Sequence, residues 1–157
     1  MINYLSLKEE VNVPYVESFI NIKALKEEIY KVTKDMEKFP EFMRDVKEVN
    51  LIKKEEDKTV TEWITDIDDI MISWTEEENF DDEKCLIKYK LIEGDLDKFE
   101  GEWRFEDAPN GTKVTLTVDF DFGMPSMEEL LGPVLELKVR ENSEMMLEGM
   151  KKKMESS

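Results

Sequence analysis

The chain has 157 residues, 40% hydrophobic and 39% charged, with 6 Gly and 5 Pro, so it is long enough to bury roughly 70% of its unfolded surface and is not loop-dominated. Thirty-nine acidic residues against 22 basic ones leave a net charge of −17, which repels phosphate backbones and anionic membranes and argues against nucleic acid as a partner. One cysteine, Cys85, excludes an internal disulfide, and the absence of histidine excludes Ser–His and Cys–His nucleophilic pairs and the commonest metal ligand.

Met1 to Glu10 holds no apolar run of signal-peptide length, and nowhere do 18 apolar residues follow one another; the chain is therefore predicted to be cytoplasmic, without an integral membrane segment. Residues 1–157 are read as a single domain. Tyr15 to Ile22 is predicted as a first strand, and Ala24 to about Glu37 as a helix, with Leu25, Ile29, Tyr30 and Val32 or Thr33 near one face, ended by Pro40. Phe39-Pro40-Glu41-Phe42-Met43 is aromatic enough to be buried and short enough to be one helical turn.

The period then changes to two. Strands are expected at about Val46 to Glu55, Thr59 to Ile67, Ile70 to Glu77, Lys84 to Ile92, Lys98 to Glu106 and Thr112 to Phe122. Cys85 falls in the fourth of these as a core-filling residue. In the last two, Phe99, Gly101, Trp103 and Phe105 share one face, and Val114, Leu116, Val118, Phe120 and Phe122 share another, so one side of the sheet is buried and one is wet. Asn110-Gly111 is the hairpin signal between them. Ser126-Met127-Glu128-Glu129 has the spacing of a capping box and opens a helix to about Met154, bent early by Gly132-Pro133. Leu131, Leu135, Val139, Asn142, Met146 and Met150 form its apolar stripe, widened by Leu130, Val134 and Met145.

A bent antiparallel sheet gripping a long helix is an α+β arrangement that buries both apolar faces. Its interior has two readings from the sequence, a cavity or a solid core. Trp63, Tyr89, Phe99, Trp103, Phe105 and Phe120 are the candidate walls, and Met124, Met127, Met146 and Met150 the adaptable lining.

Several segments, in order and spacing, resemble a known family: Tyr15-Val16-Glu17-Ser18-Phe19-Ile20, Ile29-Tyr30, Asp35 to Phe42, Ser73-Trp74, Glu93-Gly94, Gly101-Glu102-Trp103-Arg104-Phe105, Asn110 to Val114 and Met150-Lys151. Over about residues 14–155 the chain is similar to the polyketide cyclase/dehydrase and lipid-transport group of the START-like (SRPBCC) superfamily, related to coenzyme-Q-binding and pollen-allergen-type proteins. The resemblance implies a helix-grip fold: a strongly curved antiparallel sheet around a long C-terminal helix, with two short helices after the first strand. It also implies a deep apolar cavity for a lipid, quinone, polyketide or similar molecule, to which Phe39, Trp63, Trp74, Tyr89, Phe99, Trp103, Phe120, Met124, Met127, Asn142 and Met146 would contribute. In the family's aromatase/cyclases an arginine four residues after the tryptophan aligned with Trp74 orients and protonates the polyketide; that position here is Glu78. Phe39 stands where those enzymes carry a tryptophan, and Val46 where they carry a tyrosine.

Glu78 is thus the one catalytic candidate, and an inward Glu78 would be a desolvated carboxyl. No cofactor is expected, and no metal: Asp66-Ile67-Asp68-Asp69 begins like a calcium loop, but Ile70 and Met71 stand where an oxygen ligand and a glycine are needed. Alternation puts Arg104 outside, as a surface ion pair, and Arg44 and Arg140 also read as surface residues. Three functions follow: binding or transport of a hydrophobic small molecule; polyketide cyclisation or dehydration; or an acidic protein-interaction module with a filled core. A protein partner or a homodimer is left open.

Overall fold

The computed structural model describes residues 14–123 and 125–156, without the side chains of residues 125–131. The strands are β1 (Tyr15–Ile22), β2 (Val46–Lys54), β3 (Lys58–Ile67), β4 (Ile70–Asp81), β5 (Leu86–Gly94), β6 (Lys98–Ala108) and β7 (Gly111–Asp121). They form one antiparallel sheet in the order β1-β7-β6-β5-β4-β3-β2. Helix α1 (Lys26–Lys34) and a 3₁₀ helix (Met36–Glu41) carry the chain from one edge strand to the other, and α2 (Pro125–Glu155) follows the last strand. This is the helix-grip architecture expected from the sequence.

Five details differ from expectation. Helix α1 stops at Lys34 because Asp35 leaves helical geometry (φ −92°, ψ 67°), so the end is set before Pro40, which lies inside the 3₁₀ helix. Strand β5 starts at Leu86; Cys85 is buried but sits in the β4–β5 turn at φ 51°, outside the ladder. The β6–β7 turn centres on Pro109-Asn110, with Asn110 at φ 70° and Gly111 already paired with Ala108. Gly111 instead permits a close approach, since a Cβ there would stand 2.1 Å from the Ile22 carbonyl oxygen. In helix α2, which includes Pro133, the buried face includes Val139, Ser143, Met146, Leu147 and Met150, whereas Val134, expected to widen the apolar stripe, is exposed.

The sheet bends where β4 meets β5. Thr75 pairs with Glu93 but Glu76 pairs with Leu91, so Ile92 is the extra residue of a bulge, which locally kinks and twists a strand. Gly94, at φ 147°, lets the backbones close together there, since a Cβ would lie 2.5 Å from the Trp74 Cα. Around this curve the core forms from inward residues of every strand, α1, the 3₁₀ helix and α2.

Several contacts fasten helix α2 toward its C-terminal end. Lys151 Nζ donates to the Asn21 carbonyl at 2.8 Å, and the Lys23 amide donates to Glu155 at 2.9 Å. Gly149 lies against the 3₁₀ segment, where a Cβ would stand 2.3 Å from the Phe42 carbonyl oxygen. Gly149→Ala is therefore expected to destabilise the protein by roughly 1–3 kcal/mol through overpacking. Gly132→Ala in the same helix, with nothing within 4 Å of its new Cβ, is expected to stabilise it by up to about 1 kcal/mol. Urea denaturation of the two variants checks the opposite signs.

Candidate functional site

The register of β3 against β4 builds the centre of the molecule. Trp63 pairs with Trp74, Thr61 with Glu76 and Thr59 with Glu78. A strand presents alternate residues to one face, so Trp74, Glu76 and Glu78 all point inward. The two indoles stack at 5.6 Å with 9° between their planes. Glu78 is 0% exposed and Glu76 3%, which makes the inward glutamates the most unusual feature of the core, because carboxyls are seldom fully buried.

Each glutamate has partners that suit it. Trp63 Nε1 donates to Thr61 Oγ1 at 2.7 Å, which occupies that oxygen as acceptor and frees its hydrogen for Glu78 Oε2 at 2.5 Å. Thr59 donates to the other Glu78 oxygen at 2.6 Å. Trp74 Nε1 donates to Glu76 Oε1 at 2.7 Å. Burial pushes Glu76 well above the usual carboxylate range, and the hydrogen bond and charge of Glu78 push it further, outweighing the Trp74 donor. Two touching carboxyls in a low-dielectric interior do not both ionise, so the Glu76–Glu78 pair keeps a proton between its two carboxyls and carries at most one negative charge. Tyr89 is also driven up, by burial and then by Glu76, and stays a donor; its hydroxyl reaches the Thr117 carbonyl at 2.5 Å.

Between the sheet and α2 lies a cavity of about 30 Å³, lined by Trp63, Trp74, Glu76, Tyr89, Phe99, Trp103, Leu116, Val118, Asn142, Ser143 and Met146. That volume holds about one water-sized group. The interior is therefore far tighter than the deep cavity that the resemblance implies. Phe99 leans on Trp74 at 4.8 Å and on Tyr89 at 5.8 Å. On the other side of the glutamates an open groove of about 660 Å³ is lined by residues that include Tyr30, Met36, Phe80, Thr59 and Thr61. Thr61 faces the groove, Glu76 faces the cavity, and Glu78 links them.

Of the residues singled out from sequence, Trp63, Trp74, Tyr89, Phe99, Trp103, Asn142 and Met146 meet at the cavity. Phe39 is one layer behind, edge-on to Trp63 at 5.8 Å and 5.9 Å from Trp103. Phe120 is buried against Phe122, away from this lining. Phe105 packs edge-on to Tyr30. Met124 and the side chain of Met127 lie outside the described residues. Glu78 does point inward, behind the cavity wall. Glu76 was missed because Thr75-Glu76-Glu77-Glu78 reads as a solvated polar run; counting by two from Trp74 is the signal that finds it.

A third buried carboxyl stands by α2. Asp45 is 3% exposed, accepts a hydrogen bond from the Asn142 amide, and has no partner at Oδ1. Burial raises it to about 6, although its own backbone amide, Asn142, Arg44 and Lys47 pull the other way. Arg104 is on the outer face, paired with Glu17 at 3.2 Å and Glu102 at 2.9 Å. Arg140 donates to the Glu17 carbonyl at 3.2 Å, and Arg44 is exposed. Asp68 and Asp69 form a turn at positive φ, with Asp68 paired to Lys138 at 2.9 Å. Among the described residues no three His, Cys, Asp or Glu side chains are grouped to hold a metal, and no helix is long and apolar enough to cross a membrane.

Residues 22–147 match the family described as polyketide cyclase/dehydrase and lipid transport, and the chain belongs to that family. A provisionally named polyketide cyclase of Streptomyces cyaneus is 28% identical over 110 residues, 68% of this chain and 72% of its own. The crystal structure of TTHA0849 from Thermus thermophilus superposes with a TM-score of 0.87 at 29% identity, covering 91% of this chain and 98% of that one. The ZhuI aromatase/cyclase of Streptomyces sp. R1128 gives 0.83 at 19% identity over 91% and 94% of the two chains, a likeness of fold.

The Asp45 environment has a consequence for stability. A carboxyl that titrates higher folded than unfolded stabilises the fold fully below its unfolded value, 3.8, and loses that contribution as pH rises through about 6. At about 1.4 kcal/mol per pH unit the loss is on the order of 3 kcal/mol. Asp45→Asn is expected to gain stability relative to the parent between pH 4 and pH 7.5, and parallel urea titrations at the two pH values check it.

Proposed function

We propose that this member of the polyketide cyclase/dehydrase and lipid transport family binds a hydrophobic small molecule, lipid-, quinone- or polyketide-like, between the sheet and α2. The observation that carries the reading is the ring of Trp63, Trp74, Tyr89, Phe99 and Trp103 around a cavity into which Glu76 and Asn142 also face. Apolar walls with a few placed polar groups are the usual make-up of a small-molecule site. Because the cavity holds about 30 Å³, a ligand enters by widening it, and the unbranched chain of Met146 on α2 is the wall best able to give. Phe39 buttresses Trp63 and Trp103 from behind. The partner is a small molecule rather than nucleic acid, in keeping with a charge of −17, and a lone thiol suits the cytoplasm.

A second reading, polyketide cyclisation or dehydration, is favoured by Glu76. A carboxyl whose burial and neighbour favour its protonated form, inside an aromatic site, is what a general acid requires. Glu78, through its contact with Glu76, would set that proton affinity.

Native mass spectrometry of gently purified protein, with solvent extraction of any retained compound, tests the first reading. A stoichiometric apolar or aromatic adduct is expected. A clean apo mass together with no binding of apolar fluorescent dyes would overturn it in favour of a filled-core module that recruits a basic partner. For the second reading, a poly-β-ketone thioester analogue is expected to yield a cyclised product with the parent and at least about tenfold less with Glu76→Gln, the scale of a lost acid–base group; no product from the parent would remove the enzyme reading.

A further inference from the structure

The interior gathers carboxyls without a cation to answer them. Asp45, Glu76 and Glu78 are buried, and no lysine or arginine is buried among the described residues. None of the residues that line the cavity is basic, and none of the ion pairs among the described residues involves these three carboxyls. Arg44 and Lys47, beside Asp45 in sequence, are exposed. The donors that the structure supplies to Glu76 and Glu78 are neutral: two threonine hydroxyls and one indole.

Two buried polar atoms behind the cavity wall add to this: Asp45 Oδ1 and Thr65 Oγ1 have no hydrogen-bond partners. Thr65 is two residues along β3 from Trp63, on the same inner face, and Asp45 is bonded to Asn142, which lines the cavity. Glu76 on β4 lines the cavity directly, and Asp45 stands behind Asn142. The rings of Trp63, Trp74, Phe99 and Tyr89 make up the neighbouring wall. Aromatic faces and a carboxylate around a small void are the chemistry that holds an organic ammonium ion, which is attracted by the ring quadrupoles and needs no metal-like coordination. A neutral ligand would leave the buried charge unanswered, and an anionic one would add to it.

We propose that the ligand is a hydrophobic primary amine, its water-sized ammonium head seated against the Glu76–Glu78 pair among Trp63, Trp74, Phe99 and Tyr89 and its apolar body directed past Met146. This deepens the ligand-binding reading and rests on it. The 30 Å³ void suits the head alone, and the body supplies the apolar area that widens the rest.

Three probes of similar shape separate charge from hydrophobicity: benzylammonium, its neutral isostere ethylbenzene, and benzenesulfonate. Binding is followed by NMR at the indole N–H signals of Trp63 and Trp74, which report the interior. The titrations are run in about 1 M salt, where charges are screened beyond about 3 Å, so that attraction to the acidic surface is suppressed. The cation is expected to bind at least about tenfold more tightly than the isostere, and the sulfonate weakest. In Glu76→Gln/Glu78→Gln, checked for native circular dichroism, the preference is expected to disappear. If the isostere shifts the indoles at the same or lower concentration than the cation, the cationic class is overturned while the binding site stands. If no probe moves the indoles, both are overturned. The parent's ratio of cation to isostere decides the matter even if the double variant does not fold.

Discussion

Burying two carboxyls side by side is the constraint around which the rest of this structure is arranged. An unpartnered ionised carboxyl in an apolar interior is costly enough that it neutralises or the fold rearranges. Here β3 supplies the answer in register: Thr59 and Thr61 lie across from Glu78 and Glu76, and Trp63 fixes which way the Thr61 hydroxyl points. Shifting that pairing by one residue would turn every one of these side chains to the other face. The indole stack of Trp63 on Trp74, the proton held by the Glu76–Glu78 pair and the placing of the cavity all hang on the same register.

The arrangement also explains how a site with no histidine holds a carboxyl well above its usual range. Glu76 is moved by its surroundings rather than by its type, first by burial and then by Glu78. The Thr61 hydroxyl, which touches the groove on one side and Glu78 on the other, makes the wall between groove and cavity polar and hydrogen-bonded throughout. Such a wall is stiff while satisfied and responsive to anything that changes its proton count.

Much of this was legible before the fold. The alternation in β6 and β7 exposes its inner residues by counting alone, and seven aromatic, amide and thioether positions named from sequence do converge. What escaped had physical reasons. Glu76 hides in a run of acids whose composition suggests solvent, since composition ignores which face a residue takes. The Asn110-Gly111 pair signals a turn, but the close approach of Ile22 to Gly111 is tertiary and shifts the turn by one residue. Phe120 has the right parity yet lies too far along β7 to share the lining. The small size of the cavity depends on how side chains interlock across sheet and helix, which periodicity does not encode.

The fastening of α2 has a mechanical meaning. Lys151, Glu155 and Gly149 pin one end of the helix to β1 and the 3₁₀ segment, while Asn142 and Met146 face the cavity further toward its start. At 1.5 Å per residue Asn142 stands about 10 Å from the Gly149 contact. The helix is thus a beam held on both sides of the cavity, by these contacts beyond it and by Arg140 on the Glu17 carbonyl and Lys138 on Asp68 before it, so room is made between two supports rather than by swinging one free end.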